Sequence, residues 1–350
     1  MMNKKTTTMK RKNRNTLLLL AIAILGVHAR SFTQDLHFSQ YFNAPLLVNP
    51  ANTGFIPEGD YRVGMNYRNQ WASISDNPYK TMSAYGDIQL FGNRFDNGWV
   101  GVGGSILRDV AGAGNLTSTK AYGSVAYHQA LGLGSLISAG FNLGYVSKRV
   151  DFSKLTFDNQ WNGKFFDIAA PSGENFQTNS LGYVSLGAGV NYAYYPNENT
   201  YVNVGFSALN INRPKERFFA TNTVDERVLP RFTTFINGSF KTADIWILNP
   251  NVYISNVGTA WEVVAGVNAQ RDLSGDGNTQ LILGAYYRVN DAMIPVVGFQ
   301  QSGYKLTFNY DATTSSLKQY NNTRGAYEIS IIKQGLFDES SGIKCPAVRF

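Results

Sequence analysis

Few side chains in this 350-residue chain are spaced for chemistry. Setting aside His28 in the leading segment, the histidines are His37 and His128, far apart and outside any zinc-ligand spacing. Cys345 is the single cysteine, and no Gly-x-Ser-x-Gly elbow is present. These residues support no catalytic site and no cofactor, so the chain reads as a non-enzyme. One run invites a metal: Asp272, Ser274, Asp276 and Asn278 put oxygen side chains at alternate positions, with glycines between, like the front half of a calcium loop. Its twelfth position is Leu283 where such a loop needs a bidentate Glu, and an ordinary Asp/Gly turn explains the run as well. A second group, Tyr67, Arg68, Gln70 and Trp71, mixes planar donors with large aromatics, which suits a surface that recognises a partner or touches a plug. A rim tryptophan beside an inward arginine is the plainer reading.

The elements that must carry these groups alternate with a period of two. In 181–194, Val184, Leu186, Ala188, Val190, Tyr192 and Tyr194 fall on one side, and Ser185, Gly187, Gly189, Asn191 and Ala193 on the other. After a turn at 196–199 the pattern resumes with Val202, Val204, Phe206 and Ala208 opposite Asn203, Gly205 and Ser207. The bulky side is apolar and the other is small or polar. That inversion is what a water-filled membrane barrel requires, with large residues toward lipid and small polar ones toward the lumen. On this reading Leu186→Arg impairs assembly into the outer membrane far more than Asn191→Arg.

The first residues bound location and charge. Lys4, Lys5, Lys10, Arg11, Lys12 and Arg14 precede an apolar run over 17–27, too short for the roughly 20 residues of a spanning helix, followed by Val27-His28-Ala29. This predicts a signal peptide over 1–29. Those cations and Arg30 all precede Gln34, and without them 24 Lys and Arg stand against 24 Asp and Glu. Net charge therefore gives no reason to expect nucleic acid as a partner. One cysteine excludes an internal disulfide, and a chain with 20 Tyr, 22 Phe and 34 Gly but only 16% charged residues fits an all-β transmembrane antiparallel barrel.

The punctuated segment 30–60, with Pro45, Pro50, Pro57 and several Asn, is expected at the periplasmic mouth or inside the lumen. Alternating segments of about 9 residues or more then fall near 61–70, 80–92, 98–109, 118–129, 135–148, 181–194, 200–209, 230–241, 244–255, 260–270, 280–290, 292–300, 303–312 and 324–333, making about 14 strands over 61–333 and a tail over 334–350. Pro295 makes one of them the weakest, since proline donates nothing to a ladder. Connections after even-numbered segments are mostly short and those after odd-numbered ones long, above all 149–180 and 210–229, as expected for periplasmic turns and outer loops. The exceptions are 271–279 and 290–291. Arg288, Lys305 and Glu328 fall on the lumenal side of their segments.

Phe38-Ser39-Gln40-Tyr41, Asn49-Pro50-Ala51 with Gly54, and Tyr67-Arg68-Asn69-Gln70-Trp71 resemble the opening of the PorP/SprF family of Bacteroidetes type IX secretion proteins. Tyr310-Asp311, Glu328-Ile329-Ser330 and Cys345-Pro346 before Phe350 are similar to its closing pattern, although Tyr327 stands where the family usually has histidine. The resemblance implies a multi-pass outer-membrane barrel, in contact with outer-membrane lipid and with type IX components in the periplasm. It further implies a role in secreting or anchoring surface proteins with a C-terminal sorting domain, such as gliding adhesins, by binding and positioning them. A general diffusion porin or small-solute channel is the alternative to which the small lumenal residues point directly.

Overall fold

The computed structural model describes residues 38–56, 59–95, 97–167, 169–174, 178–216, 218, 227–337 and 348. The expected signal peptide, His37, Cys345 and Phe350 lie outside the described residues. The strands are β1 (Tyr61–Gln70), β2 (Tyr79–Phe95), β3 (Gly98–Ala111), β4 (Leu116–Gly132), β5 (Ser135–Arg149), β6 (Ser180–Asn197) and β7 (Thr200–Leu209). They continue with β8 (Arg231–Ala243), β9 (Trp246–Val257), β10 (Ala260–Asp272), β11 (Thr279–Arg288), β12 (Ala292–Gln301), β13 (Tyr304–Thr313) and β14 (Arg324–Gly335). Each pairs antiparallel with its chain neighbours, and β1 pairs with β14, closing a 14-stranded barrel. Closure removes the edge that would otherwise leave a row of backbone groups unpaired. No helix among the described residues is long and apolar enough to cross a membrane.

The alternation sets the two faces as the sequence implies. On β6, Val184 and Val190 are about half exposed on the outer face while Ser185 and Asn191 are buried inside, and β5 repeats this with Phe141 and Leu143 out, Ser138 and Asn142 in. Pro295 is accommodated within β12: the ladder to β11 stays continuous through Ala285, and the ladder to β13 omits Ile294 and Pro295. One end of the barrel carries short turns, such as 133–134, 198–199 and 302–303, and the other carries 71–78, 150–179, 210–230 and 314–323. The two-residue link between β9 and β10 joins the short exceptions at the long-loop end.

Of the two places expected for the punctuated segment, the lumen is the one it takes. Residues 38–56 run through it as a plug, from the long-loop end at Ser39 to the short-turn end at Gly54, built from 3-10 turns Tyr41–Asn43 and Pro50–Asn52 around a short helix Pro45–Val48. Asn and Pro suit this compact, turn-rich path, and Asn49 caps the second turn by accepting from the Ala51 N–H at 2.8 Å. Small lumenal residues line this polypeptide where the sequence reading placed water. A Cβ on Gly140 would lie 2.5 Å from the backbone of Pro50 and Ala51, and one on Gly101 would overlap the Thr53 carbonyl. The glycines are thus required by close backbone approach. Asn191 joins Asn49 and Asn52 of the plug at 2.7 Å each, so Asn191→Arg would lose both contacts, a cost on the lumenal side that the period-two pattern does not reveal.

Candidate functional site

A network of buried charges lies where the plug begins. Three lumenal positions on adjacent strands form its centre: Arg68 on β1, Asp311 on β13 and Glu328 on β14, with Arg68 opposite Glu328 in the β1–β14 ladder. The Glu328 carboxylate accepts the backbone N–H groups of Ser39 at 2.7 Å and Gln40 at 3.0 Å. Arg68 Nη1 donates to Glu328 at 2.5 Å, to Asp311 at 2.9 Å and to the Ser39 hydroxyl at 2.7 Å, while that hydroxyl donates to Asp311. Arg288 closes the network, lying 3.1 Å from Asp311 and from Glu262 and 2.8 Å from the half-exposed Asp291, and donating to Ser39. Its contact with Glu262 is an ion pair whose angle falls outside a hydrogen bond. Gln40 and Asn43 extend the network to Asn309 and Thr307 of β13. Each formal charge here has an opposite neighbour, as burial demands.

The other end of the plug is held by rings and carbonyls. Trp99 Nε1 donates to the Gly54 carbonyl at 2.9 Å, and the His128 ring stacks on Trp99 at 4.8 Å. His128 Nε2 lies 2.8 Å from the Thr53 carbonyl, so that nitrogen carries the proton and Nδ1 accepts from the Ser138 hydroxyl. Asp87 accepts the Gly54 N–H and a two-nitrogen contact from Arg62, which also reaches the Asn52 carbonyl. In between, Ser207 donates to Val48 and Arg231 to Leu47, and Tyr41 stacks on Tyr253 at 4.7 Å. Burial of the Tyr41 ring pushes its hydroxyl well above the ordinary phenol value, with Tyr286 and Tyr253 adding to it, so Tyr41 remains a neutral packing group.

The residues singled out from sequence separate accordingly. Arg68 is buried and grips the plug, the plug contact that was one of the two roles expected of its group, and Gln70 accepts weakly from it at 3.4 Å. Tyr67 instead faces outward against Tyr327, with Asn69 between their hydroxyls, and Trp71 packs against Tyr79 at the rim. In the run Asp272, Ser274, Asp276 and Asn278, the carboxylates close their own turn: Asp272 accepts Ser274 and Gly277 N–H groups, and Asp276 accepts from Ser274 and Asn278. The Ser274 hydroxyl and Asn278 amides hold the Asp276 carboxyl below its usual range. Among the described residues no group of three or more His, Cys, Asp or Glu is placed for a metal. Sequence reasoning put Arg288 and Glu328 on the lumenal side but missed Arg62, Asp87, Trp99 and Glu262. Lumenal parity combined with charge was the signal for most of these.

At the long-loop end, Trp161 and Phe166 pair across a bridge within 150–179 and, with Phe165, stay about half exposed. Lys148 of β5 forms a 2.6 Å ion pair with Glu216 of the neighbouring long loop. The lumen and this rim are therefore the two places where the barrel displays more than a lipid-like face.

The family profile described as "Type IX secretion system membrane protein PorP/SprF" matches residues 30–332. The chain belongs to the PorP/SprF family. No curated protein matches it. Among solved structures, this PorP/SprF member is similar to the Ralstonia pickettii toluene transporter TbuX, at 11% identity over 84% of this chain and 94% of that one with a TM-score of 0.48. It is similar to the P. putida toluene transporter TodX at 11% identity, 85% and 95% coverage and a TM-score of 0.48. The CymD monoaromatic hydrocarbon channel gives 10%, 83% and 92%, and 0.49.

Proposed function

We propose that this PorP/SprF barrel sits in the outer membrane, after removal of a signal peptide, with its short turns in the periplasm and its long loops outside. There it serves type IX secretion by binding and positioning a secreted or surface-anchored protein, such as a gliding adhesin with a C-terminal sorting domain. Its work is non-covalent, and other secretion components meet it on the periplasmic side. Family membership supplies the secretion role. The observation that carries the choice of binding over solute passage is the plug, fastened to the lumen wall at both ends.

The exposed Trp161, Phe165 and Phe166 give the outer rim the aromatic character of a docking surface. The rival, a diffusion porin, needs an open lumen. Planar-bilayer recording of the purified protein, together with recovery from native outer membrane of the wild type and a variant shortened within 155–172, tests the two. The binding reading expects no steady open pore and a surface protein retained by the wild type and lost with the loop. Steady conductance with no retained partner would establish the porin instead.

A further inference from the structure

The outer wall carries a patch that a purely apolar lipid boundary would not need. In the β1–β2 ladder Arg68 pairs with Thr81, both buried on the lumenal side, so Lys80 and Met82 on either side of Thr81 face outward. On β3 the buried Leu107 and Asp109 leave Arg108 between them on the outer face in the same way. Both cations are exposed. Lys80 pairs with Val110 and Met82 with Arg108, which makes Lys80 and Arg108 diagonal neighbours, about 7–8 Å apart at the backbone and within joint reach of one small anion.

Neither side chain makes an ion pair or hydrogen bond among the described residues, and their own wall offers no carboxylate. Asp87 and Asp109 are the only acidic residues on β1–β6, and both are buried on the lumenal face. Arg149, in line with Lys80 through Val110 and Thr117, has Asp151 beside it and stays outside the pair.

What surrounds the pair decides what it can hold. Toward the middle of the wall, Met65 and Ile106 are exposed in one row through Ala84, and Met82 stands opposite Arg108 itself. An anion seated on the two cations therefore borders an apolar strip. At the same end of the barrel, β8, β10 and β12 present Phe232, Trp261 and Met293 outward, so the basic pair is local to β2 and β3 and is not a girdle.

We propose that Lys80 and Arg108 clamp the phosphate of an anionic membrane lipid, whose acyl chains run over Met82, Ile106 and Met65. The guanidinium fork and the ammonium suit a phosphate, and the adjoining strip selects one that carries chains, which a free anion lacks. The site rests on the membrane reading given above: with the long loops outside, its lipid belongs to the outer leaflet, where the phosphates sit on a glycolipid.

Native mass spectrometry of the full-length protein, released from neutral detergent micelles after titration with lipid, tests this. The probes are lipid A and phosphatidylglycerol, with monogalactosyldiacylglycerol as a lipid without phosphate and inorganic phosphate as the free anion. One molecule of either phosphorylated lipid should stay bound at a concentration at least tenfold below that needed for the galactolipid. Lys80→Gln and Arg108→Gln should each weaken that binding fivefold or more, and Arg108→Lys should keep most of it. Lys318→Gln, which removes an exposed cation from 314–323, should change nothing. Both cations lie on the outer surface, away from the plug, so these variants leave the packing of the barrel intact. Equal retention of the galactolipid, indifference to both glutamine variants, or inorganic phosphate displacing the lipid at equal concentration would overturn the proposal. Micelles decide the clamp whichever way the barrel faces. Orientation is read apart, by labelling Lys164→Cys on intact cells with an impermeant maleimide; absence of label would overturn the outward loops and not the clamp.

Discussion

The two ends of the plug are gripped by opposite halves of the peptide bond. Near the long loops, the N–H groups of Ser39 and Gln40 meet one carboxylate, Glu328, set among Arg68, Asp311 and Arg288. Near the short turns, the carbonyls of Asn52, Thr53 and Gly54 meet Arg62, His128 and Trp99, and a single carboxylate, Asp87, takes the one N–H. The first grip is a shared charge network, where removing one member leaves several groups unmatched. The second is a row of separate donors on stacked rings, where each loss stays local. Coupled charges therefore fail together, and separate donors fail singly.

The sharpest way to break that comparison is Glu328→Ala. It leaves Arg68 with an unmatched share of charge and two plug N–H groups without acceptors, for which a loss of about 3–5 kcal/mol is expected. Urea unfolding in micelles should show a lowered midpoint, and bilayer recordings should show openings that the wild type lacks. Unchanged midpoint and silent bilayers would mean that the charge network does not hold the plug.

Next in size is a matched pair of glycines. Gly140→Val drives a branched side chain into Pro50 and Ala51, whereas Gly123, on the outer face of β4, has nothing within 4 Å of its added Cβ. Valine favours strands, so Gly123→Val should be neutral or mildly stabilising, and Gly140→Val should cost about 1–3 kcal/mol through overpacking. Equal midpoints for the two variants would contradict the close approach of plug to wall. At the ring-held end, Trp99→Phe keeps most of the packing on His128 but leaves the Gly54 carbonyl without its indole donor. About 1–3 kcal/mol is expected, below the Glu328 effect, with the long-loop grip intact. A Trp99→Phe loss equal to that of Glu328→Ala would erase the distinction between the two ends.

The same comparison explains what could be read in advance. Strand positions follow from a period-two pattern, which is local, and every expected segment became a strand with bounds moved by no more than three residues. Arg288 and Glu328 could be placed inward by the same parity. What they touch could not be read, because Ser39 and Glu328 are 289 residues apart and no local pattern encodes their meeting. The glycines mislead for a different reason. A face of Gly, Ser and Asn has the same composition whether it borders water or a closely fitted polypeptide, so Gly189 read as the border of a water-filled lumen, although a Cβ there would overlap Asn49 of the plug. The plug's own turns were visible in Asn49 and Pro50, but turn chemistry carries no address.

The smallest expected effect lies away from the plug, in the turn 273–278 at the short-turn end. Asp276 accepts from the Ser274 hydroxyl at 2.5 Å and from the Asn278 N–H at 2.9 Å, and these bonds hold its carboxyl below the ordinary value of 3.8. A depressed folded value means that the carboxylate stabilises the turn above the unfolded value, and that this contribution is lost as pH falls through the folded one. Asp276→Asn should therefore lower Tm slightly near neutral pH and converge with the wild type in acid. Calcium sharpens the test. If the turn is self-contained, calcium chloride leaves both melting curves where they were; a wild-type Tm that rises with calcium while Asp276→Asn stays fixed would show that Asp272 and Asp276 turn from their own N–H groups to a metal. Because Asp276 is fully exposed and its bonds stay within the turn, either outcome should leave the grip on the plug unchanged, which separates this region from the coupled charges around Glu328.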